Sequence, residues 1–185
     1  MSKKEKTTNT ASEIEMEGLI NNDGVQISKK QFIDELSSRG YGVAKGKDLI
    51  LAFYEALYLI DKHVLKIRDE KGKIVDFQKL VERYESVNEN AWAGYLVYRD
   101  LRGRGYVVRE GFGSKVDFRV YDRGDYSKGT AKYLIVNVQE GKPISIQDLT
   151  NSMTESLSLK KELVLAVINR RGEIVYYSVS ELGLK

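Results

Sequence analysis

The side chains that could carry acid–base or nucleophilic chemistry in this 185-residue sequence form a short inventory. It holds one histidine, no cysteine and 12 tyrosines, beside 30 lysines and arginines and 27 aspartates and glutamates. Without thiols, the chain has no ligands for a Cys₂His₂ zinc site or an iron–sulfur cluster, no thiol nucleophile and no disulfide. Any catalysis must therefore use tyrosine, lysine, arginine, carboxylates, hydroxyls or the single histidine, His63.

Two patterns point to particular chemistries. Asp117 followed by Glu140-Gly141-Lys142 is similar to the Asp…Glu-x-Lys pattern of nucleases in which carboxylates hold Mg²⁺. We do not favour metal catalysis, because the Glu140 segment is predicted as a turn and so short a pattern recurs by chance. Residues 99–109 interleave arginine with tyrosine, which can bind an RNA backbone and stack on bases. The same arrangement is typical of a solvated helix face whose tyrosines enter the core.

The composition predicts a folded protein but does not indicate what it binds. The net charge of +3 does not by itself indicate a nucleic-acid binder, because charges of both signs cover most solvated surfaces. No apolar run approaches the 18 residues of a membrane span, and the first residues lack the apolar centre of a signal peptide. We therefore expect a cytoplasmic protein that does not bind a membrane.

The elements that must position these residues fall into two patterns. We expect residues 1–12 to be a disordered tail and residues 13–85 to form a small α+β domain. Residues 90–185 are predicted to form an α/β domain, restriction-endonuclease-like, with a mixed sheet flanked by helices. The first domain is expected to contain a hairpin at 13–28, helices at 29–39 and 48–64, two strands within 64–77 and a helix at 77–85. The second is expected to contain helices at 92–104 and 146–161 and strands at 105–112, 116–122, 132–139, 163–169 and 173–180.

Several sequence blocks resemble the archaeal tRNA-splicing endonuclease family. They are YLVYRDLRGRGYVVREGFGSKVDFRVYDRG at residues 95–124, KYLIVNV after it, and LKKELVLAVINRRGEIVYYSVSEL near the end. The strongest are residues 95–124 and 159–177. The resemblance implies a two-domain subunit that assembles, as a homotetramer, a dimer of fused repeats or a heterotetramer, to cut bulge–helix–bulge intron junctions in precursor tRNA. The implied reaction needs no metal or other cofactor. A 2′-hydroxyl attacks the adjacent phosphorus, leaving a 2′,3′-cyclic phosphate and a 5′-hydroxyl.

The family's catalytic residues are a tyrosine, a histidine and a lysine. The reaction needs a base for the 2′-hydroxyl, an acid for the leaving oxygen and a cation for the charged phosphorane. By resemblance the tyrosine falls on Tyr121 and the lysine on Lys161, whereas Thr130 occupies the histidine position. Threonine does not exchange a proton near pH 7, and losing acid–base help typically costs about 10²–10⁴ in rate.

Cations around these positions are expected to assist the tyrosine or to bind RNA. A tyrosine base needs a neighbouring cation to lower its pKa, and Arg119, Arg123 and Lys161 are the candidates. We predict that Lys132 and Lys160, with Arg119 and Arg123, contact RNA phosphates. Lys160 and Lys161 are predicted on an amphipathic helix, where the alternative is a solvated charged face.

Three further features bear on the role of the chain. An arginine that many family members carry seven residues before the lysine is replaced by Thr154, and an acidic docking turn is replaced by Asn169-Arg170-Arg171-Gly172. His63 lies in the first domain, near a predicted helix end where a cation is favourable, so we expect a structural role. It could act in catalysis only across a subunit interface. Strand 174–179 is apolar on both faces, so we expect a partner to cover it.

We therefore predict a tRNA-splicing endonuclease subunit, specifically the structural partner of a homologous catalytic subunit in a heterotetramer. One alternative is a catalytic subunit that uses Tyr121 and Lys161 with Thr130 in place of the acid. Another is an RNA-binding module that does not cleave.

Overall fold

The computed structural model of the chain describes residues 16–112, 116–124, 126 and 129–181. The predicted tail at residues 1–12 lies outside the described residues. The elements of the first half are β1 Met16–Ile20, β2 Val25–Ile27, α1 Lys30–Ser38, β3 Val43–Lys45, β4 Asp48–Leu51, α2 Phe53–Asp61, β5 Leu65–Arg68, β6 Ile74–Val75 and α3 Phe77–Glu85. The strands form one six-stranded sheet in the order β3-β4-β2-β1-β5-β6.

Local sequence signals account for most of this half. β1 and β2 pair antiparallel as the hairpin pattern predicted, and the Asn21 N–H closes the turn on the Gly24 carbonyl at 2.9 Å. α3 spans the predicted residues, and its start is capped by Asp76, whose carboxylate accepts the Lys79 N–H at 2.9 Å. Both predictions are confirmed. They succeed because each element depends on residues that are close in sequence.

The predicted helix over 48–64 is wrong in its first four residues. Those residues form β4, which pairs antiparallel with both β2 and β3. Leu49 and Leu51 are buried as alternate residues of a strand, although the spacing from Leu49 to Phe53 also fits a helix. Pairing with two strands, of which β2 lies far back in the sequence and β3 directly precedes β4, outweighs the helical spacing. β3 was not predicted, because its three residues are all exposed and show no alternation of apolar and polar side chains.

The second half contains α4 Ala91–Gly103, β7 Val107–Glu110, β8 Phe118–Tyr121, β9 Tyr133–Gln139, α5 Ile146–Ser158, β10 Glu162–Ile168 and β11 Ile174–Val179. Its sheet has the order β11-β10-β9-β8-β7, in which β9 and β10 are parallel and the other pairs antiparallel. The predicted mixed sheet is therefore confirmed. Alternation along β9 directs Ile135 into the core cluster that contains α4, and Leu134 into the one that includes α5 residues.

The predicted helix over 146–161 ends at Ser158, so Lys160 and Lys161 are not helical. Lys160 adopts a left-handed backbone with φ 53°, and the Lys161 N–H donates to the Ser156 carbonyl at 2.9 Å. This is the hydrogen-bond pattern of a Schellman helix end, in which one left-handed residue turns the chain out of the helix. Lys161 thereby lies directly before β10 instead of on a helix face.

The two halves share one hydrophobic core. Tyr54 of α2 packs against Tyr98 of α4, with ring centroids 4.8 Å apart, and against Phe118 of β8 at 5.2 Å. Tyr98 is completely buried. The sheet that carries the candidate site is thus backed by residues from the first half.

Candidate active site

The three positions predicted to hold catalytic residues lie at one end of the second sheet. Tyr121 is the last residue of β8, Thr130 precedes β9, and Lys161 directly precedes β10. Because β8 runs antiparallel to β9 and β9 runs parallel to β10, the end of β8 and the starts of β9 and β10 meet. The register pairs Val120 with Tyr133, and Tyr133 with Glu162.

Hydrogen bonds join these segments directly. The Lys132 N–H donates to the Val120 carbonyl at 2.8 Å, and the Glu162 N–H donates to the Lys132 carbonyl at 3.0 Å. The half-buried Lys161 side chain donates from Nζ to the Ala131 carbonyl at 2.5 Å. The Lys161 ammonium is therefore bonded to the residue that follows Thr130. Thr130 itself is exposed.

The half-buried Tyr121 contacts another tyrosine. Its ring lies edge-to-face with Tyr126, at 5.1 Å between centroids and 88° between planes. The cations predicted to assist it have other partners. Arg119 donates from Nε to the Glu110 carbonyl at 2.8 Å, and the Arg123 guanidinium lies 5.7 Å from the ring centroid of Tyr106. The expected role of these cations towards Tyr121 stays a prediction.

Exposed cations surround this end of the sheet. We call Arg123, Lys132 and Lys160 the cationic rim; all three are exposed, whereas Arg119 is half-buried. Lys132 pairs with Asp122 at 3.3 Å, and its Nζ lies 4.9 Å from the ring centroid of Tyr133. Hydrogen bonding to Tyr133, and then to Asp122, raises the pKa of Lys132 above its ordinary value. The rim therefore presents positive charge beside Lys161.

The alternative Asp117 and Glu140-x-Lys142 pattern lies at the opposite end of the sheet. Asp117 and Lys142 line a cleft of about 370 Å³, while Glu140 lies in the turn after β9, as predicted. The Asp117 carboxylate accepts the Asn137 N–H at 2.7 Å, and that of Glu140 accepts the Arg170 N–H at 3.3 Å. Within the described residues, no three histidine, aspartate or glutamate side chains gather as a metal would require. The two carboxylates of the pattern thus accept hydrogen bonds from separate backbone N–H groups.

Comparison with known proteins assigns the chain to a family. Residues 91–176 match the model described as tRNA intron endonuclease, catalytic C-terminal domain, and residues 16–81 match the model for the N-terminal domain. The chain belongs to the tRNA-intron endonuclease family. The resemblance read from the sequence is thereby confirmed, as are two domains, and the catalytic-domain model covers Tyr121, Thr130 and Lys161. The boundaries 13–85 and 90–185 remain our proposed division.

Relatives in the tRNA-intron endonuclease family are similar over most of the chain. The proteins named tRNA-splicing endonuclease from Methanococcus vannielii and Pyrococcus furiosus are 36% and 33% identical over 165 residues. The alignments cover 89% of this chain and 93% and 95% of those proteins. A third, from Methanococcoides burtonii, is 33% identical over 171 residues, but only 48% of its length is matched. None of the helices in the described ranges is long and apolar enough to cross a membrane.

Other residues singled out in this family member have structural contacts. His63 lies two residues after the end of α2 with φ 55°, and its backbone N–H donates to the Ile60 carbonyl at 2.8 Å; the expected structural role of its side chain stays a prediction. Arginines of the 99–109 segment bind protein groups. Arg102 donates to the Arg39 carbonyl at 3.1 Å, and Arg109 binds the carbonyls of residues 40 and 42. These contacts favour the structural interpretation of that segment. Thr154 is exposed on α5, and its hydroxyl donates to the Thr150 carbonyl at 2.9 Å.

The sequence did not identify Tyr126 as a neighbour of Tyr121, nor Glu55 and Arg109 as a buried pair. Glu55 is 3% exposed and pairs with Arg109 at 3.5 Å. Arg109 also binds a turn that is 67 and 69 residues away along the chain. The only local signal was the pair of glycines in that turn, Gly40 and Gly42, both of which have positive φ.

Proposed function

We propose that this chain is a subunit of a tRNA-splicing endonuclease that recognises and cleaves bulge–helix–bulge intron junctions in precursor tRNA. The products would be a 2′,3′-cyclic phosphate and a 5′-hydroxyl, formed by transesterification without a metal. The observation that carries the proposal is the convergence of Tyr121, Thr130 and Lys161 at one end of the sheet in a member of this family.

The chemistry divides among these three positions. Tyr121 would take the proton of the attacking 2′-hydroxyl, and the Lys161 ammonium would stabilise the charge on the phosphorane. The leaving 5′-oxygen also needs a proton. Thr130 cannot supply it near pH 7, because an aliphatic hydroxyl is far too weak an acid. We therefore propose that this chain is the structural subunit, and that a homologous subunit with histidine in this position cleaves.

A sheet edge that has no strand partner among the residues that the structure describes supports a partner of this kind. β11 is the edge strand of its sheet, and the outward-facing Val175 and Tyr177 are 52% and 54% exposed. Exposed apolar edge strands tend to pair with another chain. We propose that the catalytic homologue covers this face in a heterotetramer, and that the cationic rim contacts precursor tRNA phosphates.

A second candidate is that the chain is itself catalytic. It is favoured by the hydrogen bond from Lys161 to Ala131, which keeps the ammonium beside position 130 although the histidine is absent. In that case Tyr121 and Lys161 would carry the reaction at a rate reduced by the missing acid.

Cleavage assays with a bulge–helix–bulge RNA separate these roles. The structural-subunit proposal expects no cleavage by the purified chain alone and cleavage to cyclic-phosphate ends when a histidine-containing homologue is added. Cleavage by the chain alone would contradict it. Thr130→His is expected to raise the rate of the chain alone by about 10²–10⁴ only if the site is otherwise catalytic. Thr150→His is the matched control, because Thr150 is an exposed threonine on α5 to which no role in the site is assigned.

Binding to a fully paired RNA of equal length tests the remaining alternative. A splicing subunit should prefer the bulged RNA. An RNA-binding module without cleavage should bind both RNAs equally and show no cleavage in any combination. That result would reject both endonuclease proposals.

A further inference from the structure

Tyr126 contacts both the candidate site and the N-terminal domain. Its ring lies edge-to-face on Tyr121, and it also approaches Gly40, the second residue after the end of α1. A Cβ added to Gly40 would lie 3.1 Å from Cε1 of Tyr126 and 2.5 Å from Cγ1 of Val107. Val107 in turn pairs with Tyr121 in the sheet. Gly40 therefore lies against two residues that each neighbour Tyr121.

Residues 39–42, which we call the Gly40 turn, are held by side chains of both domains. Arg109 of β7 donates to the Gly40 carbonyl at 2.9 Å and to the Gly42 carbonyl at 2.6 Å. The Gly42 N–H donates to both carboxylate oxygens of Glu55 at 3.1 Å. Because Glu55 is buried and also pairs with Arg109, each polar group in this contact has a fixed partner.

A second arginine holds the beginning of the same turn. Arg102 of α4 donates to the Arg39 carbonyl at 3.1 Å, and its guanidinium lies 3.8 Å from the ring centroid of Tyr41. The Gly40 turn is thus bound at consecutive peptide groups by the catalytic domain. It presents Tyr126 with a backing surface that has little freedom to move.

We propose that Tyr126 is a positioning residue, through which the Gly40 turn of the N-terminal domain fixes the orientation of Tyr121. The structural part of this inference stands on the contacts alone, whereas its effect on cleavage rests on the second candidate under the proposed function, in which this chain is itself catalytic. A phenolate base must lie within hydrogen-bond reach of the hydroxyl it deprotonates. A displacement of about 1 Å can cost roughly 10²-fold in rate, so the backing of the ring matters for chemistry.

The test uses four variants of the full chain. Tyr126→Ala removes the ring, and Tyr126→Phe keeps it. Arg109→Lys keeps the charge but cannot bind both carbonyls of the Gly40 turn with one planar group. Arg68→Lys is the matched control, because Arg68 pairs with Glu17 in the N-terminal sheet, on strands away from the turn.

The first readout needs no cleavage. In protein with ring-labelled tyrosine, the Tyr121 signal is identified by its loss in Tyr121→Phe, and the NMR order parameter of the ring axis is measured. We expect a value near 0.85 in the unmodified chain, in Tyr126→Phe and in Arg68→Lys, and a value below about 0.6 in Tyr126→Ala and Arg109→Lys. The inference would be overturned if Tyr126→Ala and Arg109→Lys, both confirmed as folded by circular dichroism, left the order parameter of the Tyr121 ring unchanged.

The second readout is single-turnover cleavage in the Thr130→His background. Tyr126→Ala should lower the rate at saturating RNA by about 10- to 100-fold, with less than a twofold change in half-saturating RNA concentration. Tyr126→Phe should retain the rate, and equal losses in both Tyr126 variants would contradict positioning by the ring. If the Thr130→His chain does not cleave at all, that result counts against the second catalytic candidate, and the ring order alone decides the inference.

Discussion

Removing Arg109 should strongly destabilise the protein, because the buried Glu55 would lose the cation it is paired with and keep only the weaker influence of Arg102. The pair is separated by 3.5 Å, and the side chains of Arg109 and Glu55 are only 15% and 4% exposed. At an effective dielectric constant of about 20, two unit charges at this distance attract by about 5 kcal/mol. Breaking a buried pair by removing one partner typically costs about 3–5 kcal/mol, which we expect for Arg109→Met at pH 7.5.

The loss of stability caused by Arg109→Met should increase with pH. Burial raises the pKa of Glu55 above its usual value, while the N–H of Ala52, the charge of Arg109 and the N–H of Gly42 oppose the increase. In Arg109→Met one opposing influence is gone, so the pKa of Glu55 rises further. A carboxyl with a higher pKa in the folded than in the unfolded state takes up a proton on folding. The contribution of Glu55 to stability therefore falls as the pH rises above about 4.5. Relative to the unmodified chain, Arg109→Met should lose less free energy of unfolding at pH 5 than at pH 7.5.

Urea unfolding followed by the fluorescence of Trp92, the only tryptophan, measures this effect. Protein concentration is kept constant, because subunit association adds to apparent stability. Arg68→Met is the control: Arg68 and Glu17 are each 44% exposed, so their pair should contribute at most about 1 kcal/mol. Adding Glu55→Gln to Arg109→Met should recover about 1–3 kcal/mol, because the variant no longer buries an unpaired charge. The reasoning is refuted if Arg109→Met costs no more than the control, or if its cost is the same at both pH values.

Two further substitutions can be checked by the same unfolding measurement. Gly40→Ala should destabilise by about 1–3 kcal/mol more than Gly46→Ala, because both residues have left-handed φ but only at Gly40 would the new Cβ meet neighbouring atoms. Equal losses would mean that the contact around Gly40 adjusts freely. Tyr176→Phe should cost about 1.5 kcal/mol, because the Tyr176 hydroxyl donates to the Asp100 carboxylate at 2.7 Å. Tyr177→Phe, at a 54% exposed position, should stay within about 0.5 kcal/mol, and a similar loss in both would contradict the assigned role of the hydrogen bond.

Local sequence patterns predicted most of the secondary structure and failed where the contact that decides the structure left no signal in the pattern. α3 matched its predicted bounds because a capping aspartate and one apolar face suffice to specify it. The strand at Asp48–Leu51 was mistaken for helix because its pairing with β2 and β3 outweighs its spacing. The end of α5 was placed three residues too late, because the left-handed Lys160 is not a glycine and gave no signal in the sequence.

Some properties of the candidate site can be read from the sequence, whereas others depend on strand pairing. The types and order of Tyr121, Thr130 and Lys161 are properties of the sequence, and the prediction that Thr130 stands in the histidine position rests on them. Their meeting at one end of a sheet follows from the pairing of β8, β9 and β10, which no local pattern records.

By itself, the sequence determined which chemical groups this protein can use and the family to which it belongs, and it carries the prediction that Thr130 occupies the position of a proton donor. Only the tertiary structure brought Glu55 and Arg109 together and set the Gly40 turn against Tyr126, because these contacts join residues far apart in the chain. Hydrophobic and helical periodicities describe neighbours within a turn or a strand. The orientation of the candidate base depends instead on how two domains pack against each other, and only the folded chain contains that arrangement.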